Sequence, residues 1–145
     1  MAFHAVIFDL DGTLIDSMGV WEEVPDQLVR RLGGEPFPGL ANALRTRDLR
    51  GGAEKLIQIY GWELTADQVL EEADRLLDET YSTAVPLKPG AGEFLARCAA
   101  RGERMALVTA CVPQLCRAAL ERHGLTNYFQ DVVFVEELCV EKREP

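Results

Sequence analysis

The feature that most constrains this chain is the stretch of residues 4–17, in which a short apolar run ends at two closely spaced carboxylates. The run is Ala-Val-Ile-Phe at positions 5–8, and its lack of polar residues is typical of a strand buried on both faces of a parallel sheet. Asp9 closes the run, and Asp11 follows after one residue. Ligands of open α/β sheets bind at the carboxyl ends of the strands, so we expect both carboxylates at that edge.

Two carboxylates at this spacing suit phosphoryl transfer from a phosphate monoester. Asp9 is the candidate nucleophile, because carboxylates form aspartyl-phosphate intermediates that divide one difficult displacement into two easier ones. Asp11 is the candidate general acid and base, which protonates the leaving alkoxide and later takes a proton from water. For an Asp-x-Asp pair alone, however, the simpler interpretation is a buried strand capped by an acidic turn.

The seven residues 8–14, Phe-Asp-Leu-Asp-Gly-Thr-Leu, resemble the first motif of the haloacid dehalogenase-like hydrolase superfamily. In that family the first aspartate is the nucleophile, the second is the acid/base, and most members are Mg²⁺-dependent phosphatases. The resemblance implies these roles for Asp9 and Asp11. It also implies that the Asp9 carboxylate and the Asp11 backbone carbonyl bind Mg²⁺, a hard cation that prefers oxygen ligands.

Composition limits the class of protein. The chain has 145 residues, 48% of them hydrophobic, which suits one domain or a core with a modest insertion. No run approaches the roughly 18 apolar residues of a membrane span, and the N-terminus lacks a signal-peptide pattern, so we expect a cytoplasmic protein without membrane association. The net charge of -9 argues against nucleic-acid binding and favours a small phosphorylated metabolite as ligand.

Residues 17–85 show the spacing of consecutive amphipathic helices. Apolar residues recur every four positions in the first, and the Thr65/Gln68 pair predicts a capping box before the last, whose apolar stripe ends at Tyr81. A break is predicted at Arg50-Gly51-Gly52. The basic residues of this segment either meet an anionic substrate or, as we favour, form a solvated face: they are Arg45, Arg47, Arg50 and Lys55.

The predicted fold is therefore α/β, a Rossmann-like parallel sheet core with an inserted α-helical domain. Residues 1–16 and 86–145 are assigned to the core, and residues 17–85 to the insertion. In the resembled family such an insertion is a cap that closes over the active site and supplies specificity residues. Closure over a reactive aspartyl phosphate would exclude water.

Two later strands end at further candidate site residues. An apolar run at 105–108 closes at Thr109, whose hydroxyl can hydrogen-bond phosphate oxygens together with the Ala110 amide. A third run, at 132–135, precedes Lys142 and a trailing proline. These positions resemble the second and third family motifs, which implies that Thr109, Ala110 and Lys142 bind the substrate phosphate. A lysine there would neutralise phosphate and nucleophile together, whereas the alternative is a solvated charge run.

The sequence departs from the family pattern at its end. The fourth motif supplies a further acidic Mg²⁺ ligand after another strand, and the chain stops before it. The core is thus predicted to be incomplete, with one edge of the first strand unpaired. Two alternatives follow: the chain is a fragment of a longer hydrolase, or it pairs its open edge with another copy as a homodimer. Acidic residues that could substitute as metal ligands in principle are Asp16, Asp131, Glu136 and Glu137.

The four cysteines lack zinc-site spacing and are expected to be reduced thiols. Cys98 and Cys116 fall in apolar helical patterns, whereas Cys111 is expected to be partly exposed; the fourth is Cys139.

The function that these patterns predict is Mg²⁺-dependent hydrolysis of a small phosphate monoester through phospho-Asp9. A phosphosugar mutase is an alternative that the motif does not exclude. A third alternative is a truncated, catalytically weak protein that binds phosphate or a partner.

Overall fold

A computed structural model describes residues 5–45 and 48–137. It places the chain in two compact units. One contains the described residues through Met18 and those from Thr80 onward, and the other contains Gly19–Glu79. The elements in chain order are β1 (Ala5–Phe8), α1 (Met18–Arg31), α2 (Leu40–Leu44), α3 (Leu49–Tyr60), α4 (Ala66–Thr83), α5 (Ala91–Ala100), β2 (Arg104–Thr109), α6 (Pro113–Arg122), a 3₁₀ turn (Thr126–Tyr128) and β3 (Asp131–Phe134).

The first unit, here called the α/β unit, is built on a three-stranded parallel sheet in the order β1-β2-β3. The register pairs Phe8 with Leu107, and Thr109 with Phe134. All three strands therefore end near one another at the same edge of the sheet. The predicted α/β fold class with a parallel sheet is confirmed.

The expected burial of the first strand on both faces is wrong. Within β1, Phe8 is buried, but Ile7 is 71% exposed. The reason is the position of the strand: among the described residues, β1 pairs only with β2, and nothing described covers the face that carries Ile7. The third strand ends at Phe134, one residue earlier than the apolar run predicted.

The second unit, here called the helical unit, has its own apolar core. The core consists of side chains that recur on the inner faces of α1 to α4: Leu28, Val29, Leu40, Ala53, Leu56, Val69 and Leu76. The predicted capping box is confirmed. The Gln68 backbone N–H donates to Thr65 Oγ1 (3.2 Å), and the Thr65 backbone N–H donates to Gln68 Oε1 (2.9 Å). The α4 helix therefore begins where the sequence placed it.

The predicted break at Gly51-Gly52 is wrong, because both glycines lie inside α3. Asp48 caps this helix by accepting a hydrogen bond from the Gly51 amide (2.6 Å). A good N-cap satisfies a free amide of the first turn, which compensates for the poor helix propensity of glycine there. The helix ends at Gly61, whose φ of 63° is left-handed.

In the part of the chain that the structure describes, no helix is both long and apolar enough to cross a membrane.

Candidate active site

Asp9 lies directly after β1 and is exposed at the carboxyl edge of the sheet. Its Oδ1 accepts a hydrogen bond from the Leu10 amide (2.8 Å). The buried Phe8 and Leu10 on either side fix the backbone at this point, and the carboxylate between them faces solvent. An exposed, anchored carboxylate is suited to attack on an incoming phosphorus atom.

The loop after Asp9 is a tight turn closed by backbone hydrogen bonds. The Leu10 carbonyl accepts from the Leu14 amide at 2.9 Å and from the Ile15 amide at 3.1 Å, and the Gly12 amide donates to the Ile15 carbonyl at 2.9 Å. Gly12 has a φ of 74°, which L-residues with a Cβ rarely adopt. This turn brings Ser17 back beside Asp11, six residues later in the chain.

Asp11 is half-buried, and two hydroxyl groups bind one of its oxygens. Ser17 Oγ donates to Asp11 Oδ1 at 2.6 Å, and Tyr81 Oη donates to the same oxygen at 2.7 Å. Burial raises the pKa of Tyr81 far above its usual range, and the hydrogen bond to Asp11 raises it further, so its hydroxyl keeps its proton. The sequence interpretation missed both partners, since it placed Tyr81 only in an apolar stripe.

Thr109 ends β2 at the same edge of the sheet. Its side chain is almost fully enclosed, with 1% of the residue exposed, and Oγ1 accepts a hydrogen bond from the Cys111 amide (3.0 Å). In this hydrogen bond the hydroxyl is the acceptor, and a hydroxyl group can also donate one hydrogen bond. Ala110, the other predicted phosphate-binding residue of this strand, is exposed.

Cys111 is buried, which contradicts the expected partial exposure. Burial raises the pKa of its thiol strongly, and the carboxylates of Asp11 and Asp9 add to the rise. The parallel pairing of Phe8 with Leu107 places the ends of β1 and β2 at the same edge of the sheet, next to these carboxylates. Cys116 is also buried, and burial raises its pKa to about 11. Both thiols are therefore neutral near pH 7 and are poor nucleophiles.

The remaining predicted residues are Lys142, Cys139 and four acidic side chains. Lys142 and Cys139 fall outside the described residues. Asp16 lies 4.0 Å from Lys88 Nζ, and Asp131 lies 3.7 Å from a guanidinium nitrogen of Arg104, so each acidic group faces a cation. Glu136 and Glu137, also named as substitute ligands, are exposed.

Within residues 5–45 and 48–137, no group of three or more His, Cys, Asp and Glu side chains is arranged to hold a metal ion. Of the two predicted Mg²⁺ ligands, the Asp9 carboxylate and the Asp11 backbone carbonyl, the structure shows the Asp9 carboxylate exposed at the edge of the sheet. Oxygen donors fit Mg²⁺, which is typically bound by one or two carboxylates with the remaining positions filled by water and substrate phosphate.

Fold and site together define an α/β protein with an aspartate pair at the carboxyl edge of a parallel sheet. The haloacid dehalogenase-like hydrolase family matches residues 6–143, which is nearly the whole sequence. The chain belongs to this family.

Among curated proteins, the chain is similar to a phosphoglycolate phosphatase of Vibrio vulnificus, with 32% identity over 97% of this chain and 64% of the relative. The chain thus spans about 64% of the length of that relative.

Two solved structures show the same fold. A Thermotoga maritima protein described as a candidate β-phosphoglucomutase superposes with a TM-score of 0.81 at 22% identity, covering 92% of this chain and 62% of that one. The hydrolase YfnB of Bacillus subtilis, whose crystals contain bound magnesium, gives a TM-score of 0.71 at 17% identity over 100% of this chain and 75% of its own.

Proposed function

We propose that this chain hydrolyses a small phosphate monoester through an aspartyl-phosphate intermediate on Asp9. The observation that carries the proposal is the placement of Asp9 and Asp11: one carboxylate is exposed at the sheet edge and the other is bound by two hydroxyls beside it. The similarity to a phosphoglycolate phosphatase supports the same chemistry and suggests a phosphorylated small acid as the first substrate to test.

The proposed reaction has two steps. An Asp9 oxygen attacks phosphorus, the phosphorus–oxygen ester bond breaks, and the departing alkoxide takes a proton from Asp11. Water then attacks the phosphorus of phospho-Asp9 and gives a proton to Asp11, which releases inorganic phosphate and restores both carboxyl groups. The Thr109 hydroxyl and the Ala110 amide are the proposed phosphate donors, and Lys142 is the proposed cation.

Magnesium is the proposed cofactor, held by the Asp9 carboxylate and the Asp11 backbone carbonyl. When bound, it would offset the negative charge of phosphate and carboxylate. The magnesium found in YfnB supports this choice of metal. The helical unit is proposed to act as the cap that selects the substrate, and the protein is proposed to work in the cytoplasm.

The test is phosphate release by the 145-residue chain from phosphoglycolate and a panel of sugar phosphates, with Mg²⁺ and with EDTA. Asp9→Asn should lower the rate at least about a thousandfold, because the variant lacks the nucleophile. Glu121→Gln is the matched control, an exposed carboxylate on α6 of the same unit, and it should retain the rate. Phosphate that moves within a sugar without release would identify a mutase instead. No release above the Asp9→Asn background would refute the enzyme and leave a binding role.

A further inference from the structure

Two buried hydroxyl groups converge on the oxygen Oδ1 of Asp11. Ser17 and Tyr81 both have 0% of their surface exposed, and their oxygens lie 2.6 Å and 2.7 Å from this single atom. These distances are those of charge-assisted hydrogen bonds from hydroxyl groups to a carboxylate. The two donors come from distant parts of the chain, since Ser17 directly precedes α1 and Tyr81 lies in the last turn of α4.

Apolar packing alone does not require the Tyr81 hydroxyl. Tyr81 continues the apolar stripe of α4, where phenylalanine would fill the same volume. A buried hydroxyl is unfavourable unless it is hydrogen-bonded, and here the acceptor is the Asp11 carboxylate. The same reasoning holds for Ser17, a fully buried polar residue of the described chain together with Thr109.

A carboxylate oxygen has two lone pairs, and the two hydroxyls occupy both lone pairs of Oδ1. Rotation of the carboxyl group about its Cβ–Cγ bond would break both hydrogen bonds. The orientation of the other oxygen, Oδ2, is therefore fixed. Proton transfer depends strongly on such positioning, because donor and acceptor atoms must come within hydrogen-bond reach.

We propose that Ser17 and Tyr81 are positioning residues for Asp11: they bind Oδ1 so that Oδ2 exchanges the proton with the leaving group and with water. The inference rests on the proposed function, since it assigns a role to residues that act through the acid/base. Neither residue touches the substrate in this role. Their removal should therefore impair protonation of the leaving group and leave substrate binding intact.

The leaving group provides the decisive readout. The departing oxygen of an alkyl phosphate must be protonated as the ester bond breaks. 4-Nitrophenyl phosphate releases a stable anion, so its leaving group needs little protonation. In single-turnover experiments, Tyr81→Phe and Ser17→Ala should slow alcohol release from an alkyl phosphate about tenfold to a hundredfold. The burst of 4-nitrophenol should change less than threefold, and KM should be unchanged for both substrates. Ser17→Thr keeps a hydroxyl group and should restore the alkyl rate.

Tyr60→Phe is the matched control, because it removes a tyrosine hydroxyl that donates to the Glu35 carbonyl and not to a carboxylate. It should leave both rates unchanged. A variant that slows both leaving groups equally, or neither, would overturn the positioning role while leaving the phosphatase intact. A wild-type chain that releases phosphate from no substrate would instead refute the proposed function, and the positioning role with it.

A second measurement does not depend on activity. Proton NMR of the wild-type chain should show a slowly exchanging, downfield hydroxyl resonance from the Tyr81–Asp11 hydrogen bond. Tyr81→Phe should remove the resonance and Asp11→Asn should shift it, with circular dichroism confirming that each variant is folded. A wild-type spectrum without this resonance would show that the hydrogen bond does not form, and would overturn the inference.

Discussion

The two units of this protein are specified by different kinds of sequence information. In the α/β unit, polar side chains at the ends of β1 and β2 meet at one acidic site, and each has a defined hydrogen-bond partner. In the helical unit, apolar periodicity forms a core, and some of the charged residues form exposed ion pairs such as that of Arg50 with Asp67. In the α/β unit, motif residues thus specify the candidate active site. In the helical unit, the spacing of apolar residues specifies how the helices pack.

The helical unit nevertheless contains a feature that its periodicity did not indicate. A cavity of about 280 Å³ lies within it, lined mainly by apolar side chains of α1, α3 and α4. Protein cores are normally close-packed, but the apolar faces of these helices leave part of the space between them unfilled. Three predictions test how far the contrast between the units extends, beginning with the largest effect.

Core truncation should act separately in the two units. Leu107→Ala removes a fully buried side chain of β2, and Leu56→Ala removes one in the helical core. Each should lower the free energy of unfolding of its own unit by about 2 to 5 kcal/mol. Urea titration measures this, with tryptophan fluorescence reporting the helical unit, where Trp21 and Trp62 both lie.

Amide hydrogen exchange along β2 reports the α/β unit in the same samples. We expect Leu56→Ala to shift the urea midpoint of the fluorescence transition without loss of amide protection in β2. Leu107→Ala should lower amide protection in β2 without shifting that midpoint. If either variant shifts both probes equally, the two units unfold as one cooperative body, and the contrast applies only to their sequences.

Replacing a glycine by alanine should change the free energy of unfolding in opposite directions in the two units. Gly12→Ala places a Cβ on a residue with a φ of 74° and within 3.3 Å of Met18 Sδ, and should lower stability by about 1 to 2 kcal/mol. Gly52 lies in α3, where nothing among the described atoms is within 4 Å of an added Cβ. Gly52→Ala should therefore raise stability by about 0.5 to 1 kcal/mol.

Thermal and urea denaturation of the two glycine variants provide the comparison. The same sign for both would mean that the left-handed turn after β1 tolerates a side chain. The constraint we assign to the aspartate loop would then be absent.

Arg50→Ala should have the smallest effect. Arg50 forms an exposed ion pair with Asp67, and such pairs contribute little, so the free energy of unfolding should change by less than about 0.5 kcal/mol. The KM for a phosphate monoester should also be unchanged if the basic residues of this unit form a solvated face. A rise in KM of tenfold or more would instead place Arg50 at the substrate.

Much of the fold could be predicted from local sequence. The strand before Asp9 and the capping box at Thr65 and Gln68 are both as expected. These features depend on contacts within a few residues, where the side-chain type determines the backbone conformation. The aspartate motif likewise predicted the family, and the family match over residues 6–143 confirms it.

The errors have a common cause. Ile7 was expected to be buried and is exposed, while Cys111 was expected to be partly exposed and is buried. An apolar run indicates only that both faces of a strand can be buried. It does not indicate which part of the chain packs against them. In the same way, two adjacent glycines favour a break in a helix, and the Asp48 cap stabilises the first turn of α3, where they lie.

The sequence by itself determined which carboxylates are candidates for the chemistry and where the strand that presents them ends. Only the tertiary structure decided their surroundings: Tyr81, 70 positions away from Asp11, reaches its carboxylate, and Cys111 lies beside the same aspartates. The physical reason is that hydrogen bonds and pKa values depend on distances between atoms. Residues remote in sequence acquire those distances only when the chain packs.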